Sequence, residues 1–334
     1  MRWTVALIAA SATHSVQADD WIRNLRWSAD LSSQAQYVTE GRDGLGFLNS
    51  AGIDLHSTIT RGNRNFATTV IQLYVARADD LNRYPPYFSS GNDWKFLTKT
   101  NSINFHVSGD GRFNLLAGHA VVPYGLETSI DTTGTLRQLA TGPNLGLKAD
   151  WGVGVNGDVG DVSYAMTLTR GSGLDYYHNG NPWAVTGRIG SRQGSEEFFG
   201  MPGIGLSVFT GNIRLPSGTF VDRTRLGFDG QWYRGPWVLM TEISVGEDDD
   251  YDVINSFLEL NALSRTGSTA AYAQGRWFRR KPGGDWQDTK SWTLGLRVMP
   301  DRHWSISFQY THEIEVFGSR EEEGVLDLQL RFRS

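Results

Sequence analysis

Residues 324–334 read GVLDLQLRFRS. Side chains alternate faces along an extended chain, so Leu326, Leu328, Leu330 and Phe332 share one face and Asp327, Gln329, Arg331 and Arg333 share the other. This is a β-strand with an apolar side and a charged side. A soluble sandwich or propeller strand can alternate in the same way. What sets this chain apart is repetition of the pattern up to its last residues. A sheet that closes on itself pairs its last strand with its first and leaves no edge, and 324–334 is read as that last strand.

Working outward, the two preceding strands are the clearest. One carries Trp292, Leu294, Leu296 and Val298, the other Trp304, Ile306, Phe308 and Tyr310, and Pro300-Asp301-Arg302 joins them. Trp237, Leu239, Thr241, Ile243 and Val245 mark a strand after the turn Arg234-Gly235-Pro236. Leu145, Leu147, Ala149, Trp151, Val153 and Val155 read as one regular sixth strand. The first strand, near Trp27–Tyr37, has blurred alternation. Two segments read as irregular: Gly118–Pro143, the longest connection, and Glu247–Asp252, an acidic loop. Strands of about ten residues suit a tilted crossing of a bilayer, with short turns alternating with longer polar loops. Trp151, Trp232, Trp237, Trp277, Trp292, Trp304 and Tyr310 lie near strand ends, where an interfacial girdle sits. The expectation is an all-β transmembrane antiparallel β-barrel of about sixteen strands, with fourteen left open by Ser191–Pro202.

Composition agrees. The 334 residues include 39 Gly, 12 Trp, 12 Tyr and 16 Phe but no Cys, and mean hydropathy is −0.36. Beyond the N-terminus no apolar run reaches the roughly 18 residues of a membrane-spanning helix. Met1–Ala18 has the form of a signal peptide: Arg2, an apolar core from Trp3 to Ala12, and the compact Val16-Gln17-Ala18. Residues 19–334 are then a single barrel domain in the bacterial outer membrane, in contact with its lipid. A net charge of −5 excludes a generally basic nucleic-acid binder.

Alternation turns Arg112, Lys148, Arg188, Arg223, Arg225, Arg276, Arg297, Arg331 and Arg333 inward, with Asp30, Asp54, Asp150, Asp229, Glu242, Glu259 and Asp327. Rings of Arg or Lys favour anions in a pore; the alternative is that these charges pair across strands and only solvate a wide lumen. His303, Ser305 and Ser307 share a face, an arrangement that alternation alone also produces. Asp248-Asp249-Asp250 and Glu321-Glu322-Glu323 read as solvated loop tips, since a calcium site needs a cage of ordered oxygens. No motif calls for a metal, haem or other cofactor, and no enzymatic activity is expected.

Leu116-Ala117-Gly118 followed by Val122-Pro123-Tyr124-Gly125-Leu126-Glu127 resembles the phosphate-selective porin O and P family. So do Ala184–Ser191 (AVTGRIGS) and Tyr233-Arg234-Gly235-Pro236-Trp237 with Glu242, and the three segments come in family order. The resemblance implies a sixteen-stranded outer-membrane porin, typically a homotrimer, with a loop after the fifth strand folded into the lumen. Pro123, Tyr124, Gly125 and Glu127 would set that loop's path. Arg137, its only Arg or Lys, would join Arg112, Arg188, Arg223, Arg225 and Arg297 in a positive lining; alternatively the loop stays outside and Arg137 is solvated. No arginine–lysine ladder like that of phosphate-specific members is matched. The expected function is passive diffusion of small anionic or polar hydrophilic solutes, with anion and possible phosphate preference. The other reading is a structural barrel that sheathes an envelope partner such as an electron-carrying cytochrome.

Overall fold

The computed structural model describes residues 24–39, 44–61, 64–81, 91–130, 135–137, 139–174, 180–191, 203–215, 217–316 and 323–334. Residues 1–18, read above as a signal peptide, most of Ser191–Pro202, and Glu321 and Glu322 lie outside these residues.

Sixteen strands form one closed antiparallel sheet. The first eight are β1 Leu25–Val38, β2 Leu45–Arg61, β3 Arg64–Asp79, β4 Gly91–Phe105, β5 Asn114–Val121, β6 Ala149–Val159, β7 Val162–Thr169 and β8 Trp183–Ser191. The second eight are β9 Gly203–Arg214, β10 Phe220–Arg234, β11 Trp237–Asp248, β12 Tyr251–Leu263, β13 Thr269–Arg280, β14 Gln287–Val298, β15 Trp304–Glu315 and β16 Glu323–Arg333. Every strand pairs with its neighbours in sequence, and β16 closes on β1 from Asp30↔Arg333 to Val38↔Val325. The closure is reinforced inside the barrel. Arg331 Nε donates to Asp30 at 2.8 Å and Arg333 Nη2 to Asp54 at 2.8 Å. Tyr74 Oη donates to both carboxylates, at 3.0 and 2.9 Å, while its ring fills the space over Gly52.

The outer wall is apolar and exposed: Leu294 is 52% exposed, Phe308 48% and Leu328 52%. Water would not leave such a wall bare, and a bilayer requires it. Exposed tryptophans border it in two bands. Trp27, Trp237 and Trp304 stand at the end that carries both Leu25 and Arg333, and Trp94, Trp183 and Trp277 stand at the other. No helix of the described residues is long and apolar enough to cross a membrane.

Two sequence expectations are corrected. The sixth strand starts at Ala149, not Leu145. Thr141–Leu145 is a short helix, α1, ended by Gly146 with φ 86°, and Leu145 and Leu147 are buried. Their two-residue spacing looked like an outward strand face, but these side chains belong to an apolar cluster inside the barrel. The acidic loop is mostly strand as well: β11 runs through Asp248 and β12 starts at Tyr251, so Asp249 and Asp250 alone make the turn. Asp248 is buried.

Candidate functional site

The described residues of the connection from β5 to β6, 122–130, 135–137 and 139–148, pack inside the barrel. Its base is held by apolar contact: Val122, Tyr124, Leu145 and Leu147 cluster with Ala184, Phe209 and Ile213 of the inner wall of β8 and β9. A polar-lined lumen thus has an apolar anchor on one side. Burying side chains of this size contributes about 1.5–3 kcal/mol each, enough to fix the loop's direction.

From that base the stretch Pro123–Glu127 crosses to β10 and β11. Tyr124 lies against Gly227 of β10, where any Cβ would meet its phenolic oxygen at 2.6 Å, and that oxygen is 2.6 Å from Ser244 Oγ. The Gly125 N–H donates to Ser207 Oγ at 3.0 Å. Gly125 has φ +55°, and a Cβ there would fall 2.2 Å from Glu242 Oε2. Only glycine suits both the angle and the approach. The Leu126 and Glu127 N–H groups then donate to Glu242 Oε2 at 2.7 and 3.1 Å. One buried carboxylate of the wall thereby receives two consecutive backbone donors of the loop.

Glu127 continues the crossing. Its carboxylate accepts from Arg276 Nη2 of β13 at 3.0 Å and from the Ala140 N–H at 3.2 Å, so it ties the outgoing limb both to the wall and to the returning limb. Burial pushes the Glu127 carboxyl above the usual range, and Arg276 and the Ala140 N–H pull it back. On the returning limb Arg137 donates from Nε to Glu259 at 2.7 Å and from Nη2 to Asn261 at 2.5 Å, and lies 4.7 Å from the Tyr272 ring centre. Asn144 of α1 accepts from Arg225 Nε at 3.2 Å and from Ser244 Oγ at 3.2 Å.

The arginines singled out in the sequence divide into three groups. Arg112 does not line the lumen. It sits in the turn before β5, 71% exposed, beside Asp110 at 3.2 Å. Alternation could not assign it because β5 begins only at Asn114. Arg137, Arg188, Arg223 and Arg225 are inside, each against a carboxylate. Arg188 chelates Asp229 at 2.6 and 2.9 Å, and Arg223 and Arg225 share Asp248 at 2.5–2.6 Å. Arg297 lies half-buried on the inner face of β14. The pairing reading therefore describes most of this lining better than a ladder of uncompensated cations.

No local pattern marks Ser207, Ser244, Asn144 or Asp248 as partners of the loop. Gly227 was a usable signal, since a glycine at an inward strand position between Arg225 and Asp229 marks a close approach. His303 is placed in the turn before β15, where its ring nitrogens meet Arg333 O at 2.9 Å and Arg302 Nε at 2.8 Å, while Ser305 and Ser307 are buried on the inner wall. Among the described residues no group of three or more His, Asp or Glu side chains is placed to hold a metal ion.

A closed sixteen-stranded barrel with an apolar outer wall and an inward loop after β5 defines a transmembrane barrel with the porin fold. Solved structures share it at low sequence identity. OprB of Pseudomonas putida aligns with TM-score 0.67 and 10% identity, over 94% of this chain and 94% of its own. OmpF of Salmonella typhi aligns with TM-score 0.66 and 10% identity, over 92% and 98%. The outer membrane channel DcaP of Acinetobacter baumannii aligns with TM-score 0.64 and 9% identity, over 93% and 97%. At such identities the likeness concerns the fold. No family model matches the chain. No curated protein matches it either.

Proposed function

We propose that the protein is a bacterial outer-membrane porin that admits small hydrophilic solutes by passive diffusion through a lumen narrowed by residues 122–148. The observation that carries this reading is the anchoring of that loop across the barrel, from the apolar cluster on β8 and β9 through Glu242 on β11 to Arg276 on β13. A fixed inward loop sets a size limit and leaves transport to diffusion. It speaks against the sheath reading, because a polypeptide partner would have to share the lumen with it. Residues 1–18 are proposed to be a signal peptide cleaved after Ala18, and the homotrimer implied by the family resemblance is the proposed assembly.

Anion preference, phosphate included, is a second and narrower reading. What favours it is the pair Arg223 and Arg225 on the single carboxylate of Asp248, which leaves one positive charge in excess beside the loop. The one-to-one pairs Arg137–Glu259, Arg188–Asp229 and Arg276–Glu127 work against it. Reversal potentials of the purified protein in a salt gradient test the choice. A modest chloride preference supports the anion reading, and a potential near zero or of the opposite sign removes it.

A further inference from the structure

The inner wall is not equally open around the barrel. On β12 the inward side chains from Val253 to Asn261 are all buried, and so are those of β15 from Ser305 to Glu313. The loop takes its own contacts from the wall between β8 and β13. From β2 to β6, toward the end that carries Leu25 and Arg333, the inward side chains are open. His56 is exposed there, and Thr68, Val70, Asn104, Leu116 and Asn156 are part-exposed. A solute that crosses beside the loop passes this wall.

The open wall carries an uncharged ladder. The register sets Thr68 opposite Asn104 and Asn114 opposite Asn156. Asn114 is its anchor: Nδ2 donates to Asn156 Oδ1 at 3.1 Å and to the carbonyls of Gly111 and Asn156 at 3.3 Å each. Asn114 Oδ1 can only accept, so His106 Nδ1 donates to it at 3.1 Å, and His106 Nε2 meets the Thr68 hydroxyl at 2.9 Å. The Asn104 and Asn156 amides face each other. Asn156 Nδ2 donates to Asn104 Oδ1 at 3.0 Å, and Asn104 Nδ2 donates back at 3.4 Å. An amide has two N–H groups and an oxygen with two lone pairs. Asn156 Oδ1 is therefore full, Asn104 Oδ1 keeps one lone pair, and each Nδ2 keeps one N–H. Two donors and one acceptor stand side by side on part-exposed side chains.

Charge near the ladder is matched in sign. Arg26 of β1 is answered by Asp158 of β6, which accepts from Ser163. Arg188 is chelated by Asp229, and Arg333 meets Asp54 at 2.8 Å. Val70 and Leu116, each two residues further along the same inner face from Thr68 and Asn114, add an apolar patch beside the amides.

We propose that this wall of β3–β6 is a binding site for a neutral polyhydroxylated solute of the size of a monosaccharide. Two neighbouring hydroxyls exchange hydrogen bonds with Asn104 and Asn156, and the C–H face of the ring lies against Leu116 and Val70. A hydroxyl both donates and accepts, which matches the mixed set of free groups. A carboxylate or phosphate only accepts; it would leave the Asn104 lone pair unmatched and give up water with no free cation in return. The assignment deepens the porin reading by naming a solute class. It makes the path saturable, with contacts few enough to release the solute again.

The test titrates the folded, full-length barrel, in a detergent without a sugar headgroup, with glucose and with glucuronate, and reads binding by broadening of the ligand's NMR lines. Wild type should bind glucose saturably and independently of ionic strength, and glucuronate more weakly by about fivefold or more. Asn104→Ala should lower glucose affinity about tenfold. Leu116→Ala leaves every hydrogen bond of the ladder in place and should lower it about fivefold. Gln231→Ala, on the inner face of β10, should leave it unchanged. Absence of saturable glucose binding by wild type overturns the proposal. So does glucuronate binding as tight as glucose, or wild-type glucose affinity in both site variants, with folding checked by trypsin resistance. Glucose binding without conductance steps keeps the site and removes the porin reading, whereas conductance steps without glucose binding remove the site and keep the porin reading.

Discussion

Glu242→Ala is the perturbation that asks most of the loop geometry. Glu242 is 1% exposed, and its carboxylate receives the Leu126 and Glu127 N–H groups at 2.7 and 3.1 Å. Alanine leaves both donors buried without an acceptor, at about 1–3 kcal/mol each. Part of that loss is returned, because a desolvated carboxylate facing Glu127 is removed as well; the net is about 2–4 kcal/mol. The apolar base at Val122, Tyr124, Leu145 and Leu147 is untouched, so the loss should appear as local opening of 122–148 and not as melting of the barrel. At 1.4 kcal/mol per factor of ten, opening becomes about 30- to 700-fold more frequent. Trypsin reads this directly at Arg137, within the loop. The folded wild type should resist cleavage there. The Ala variant should be cut faster by a factor in that range and should show noisier single-channel current. Glu242→Gln keeps an acceptor oxygen and should lie close to wild type. An Ala variant with wild-type cleavage and wild-type current noise would refute the idea that Glu242 holds the loop.

Three further outcomes follow from the same structure. Leu294→Arg, on the lipid face, should cost roughly 2–4 kcal/mol if its level is near the midplane, measured by unfolding in bilayers; Gln231→Arg, on the inner face and partly exposed, should cost far less. Thr293 is a poor luminal control for this comparison, since it is 1% exposed and bonded to Thr311 at 3.1 Å. Gly227→Val should drive the Tyr124 ring off β10 and raise trypsin cleavage at Arg137 as Glu242→Ala does, because its side chain would occupy the space of the phenol. Arg137→Glu should break the contact with Glu259 and set two carboxylates together, moving the reversal potential toward cation preference and changing conductance; an unchanged potential and conductance in a folded variant would remove Arg137 from the constriction.

The barrel was legible because its cause is periodic. The alternation of 324–334, repeated from strand to strand, states which face meets lipid and which meets the lumen. The inward loop was legible as a region, from its length and from Pro123 and Gly125. Its partners were not. Glu242 and Leu126 are 116 residues apart, and nothing local in either segment states that they meet, although both belong to stretches that carried the porin resemblance. Alternation also failed where the backbone stops being a strand. It gave Arg112 to the lumen and Leu145 and Leu147 to lipid, and the structure has a turn at the first and a short helix with an inner apolar cluster at the others. The pairing of Arg223 and Arg225 with Asp248 was hidden because Asp248 lies in an acidic run that reads as a solvated tip.

The proposed porin has an aqueous path through the barrel that the loop narrows without closing. Single-channel recording of the purified, folded protein in a planar bilayer tests for that path most directly. Discrete ohmic steps of constant size are the predicted result, with polyols below a definite size permeating in liposome swelling. Folded protein, inserted and verified by resistance to trypsin, that yields no conductance steps and no swelling would contradict it.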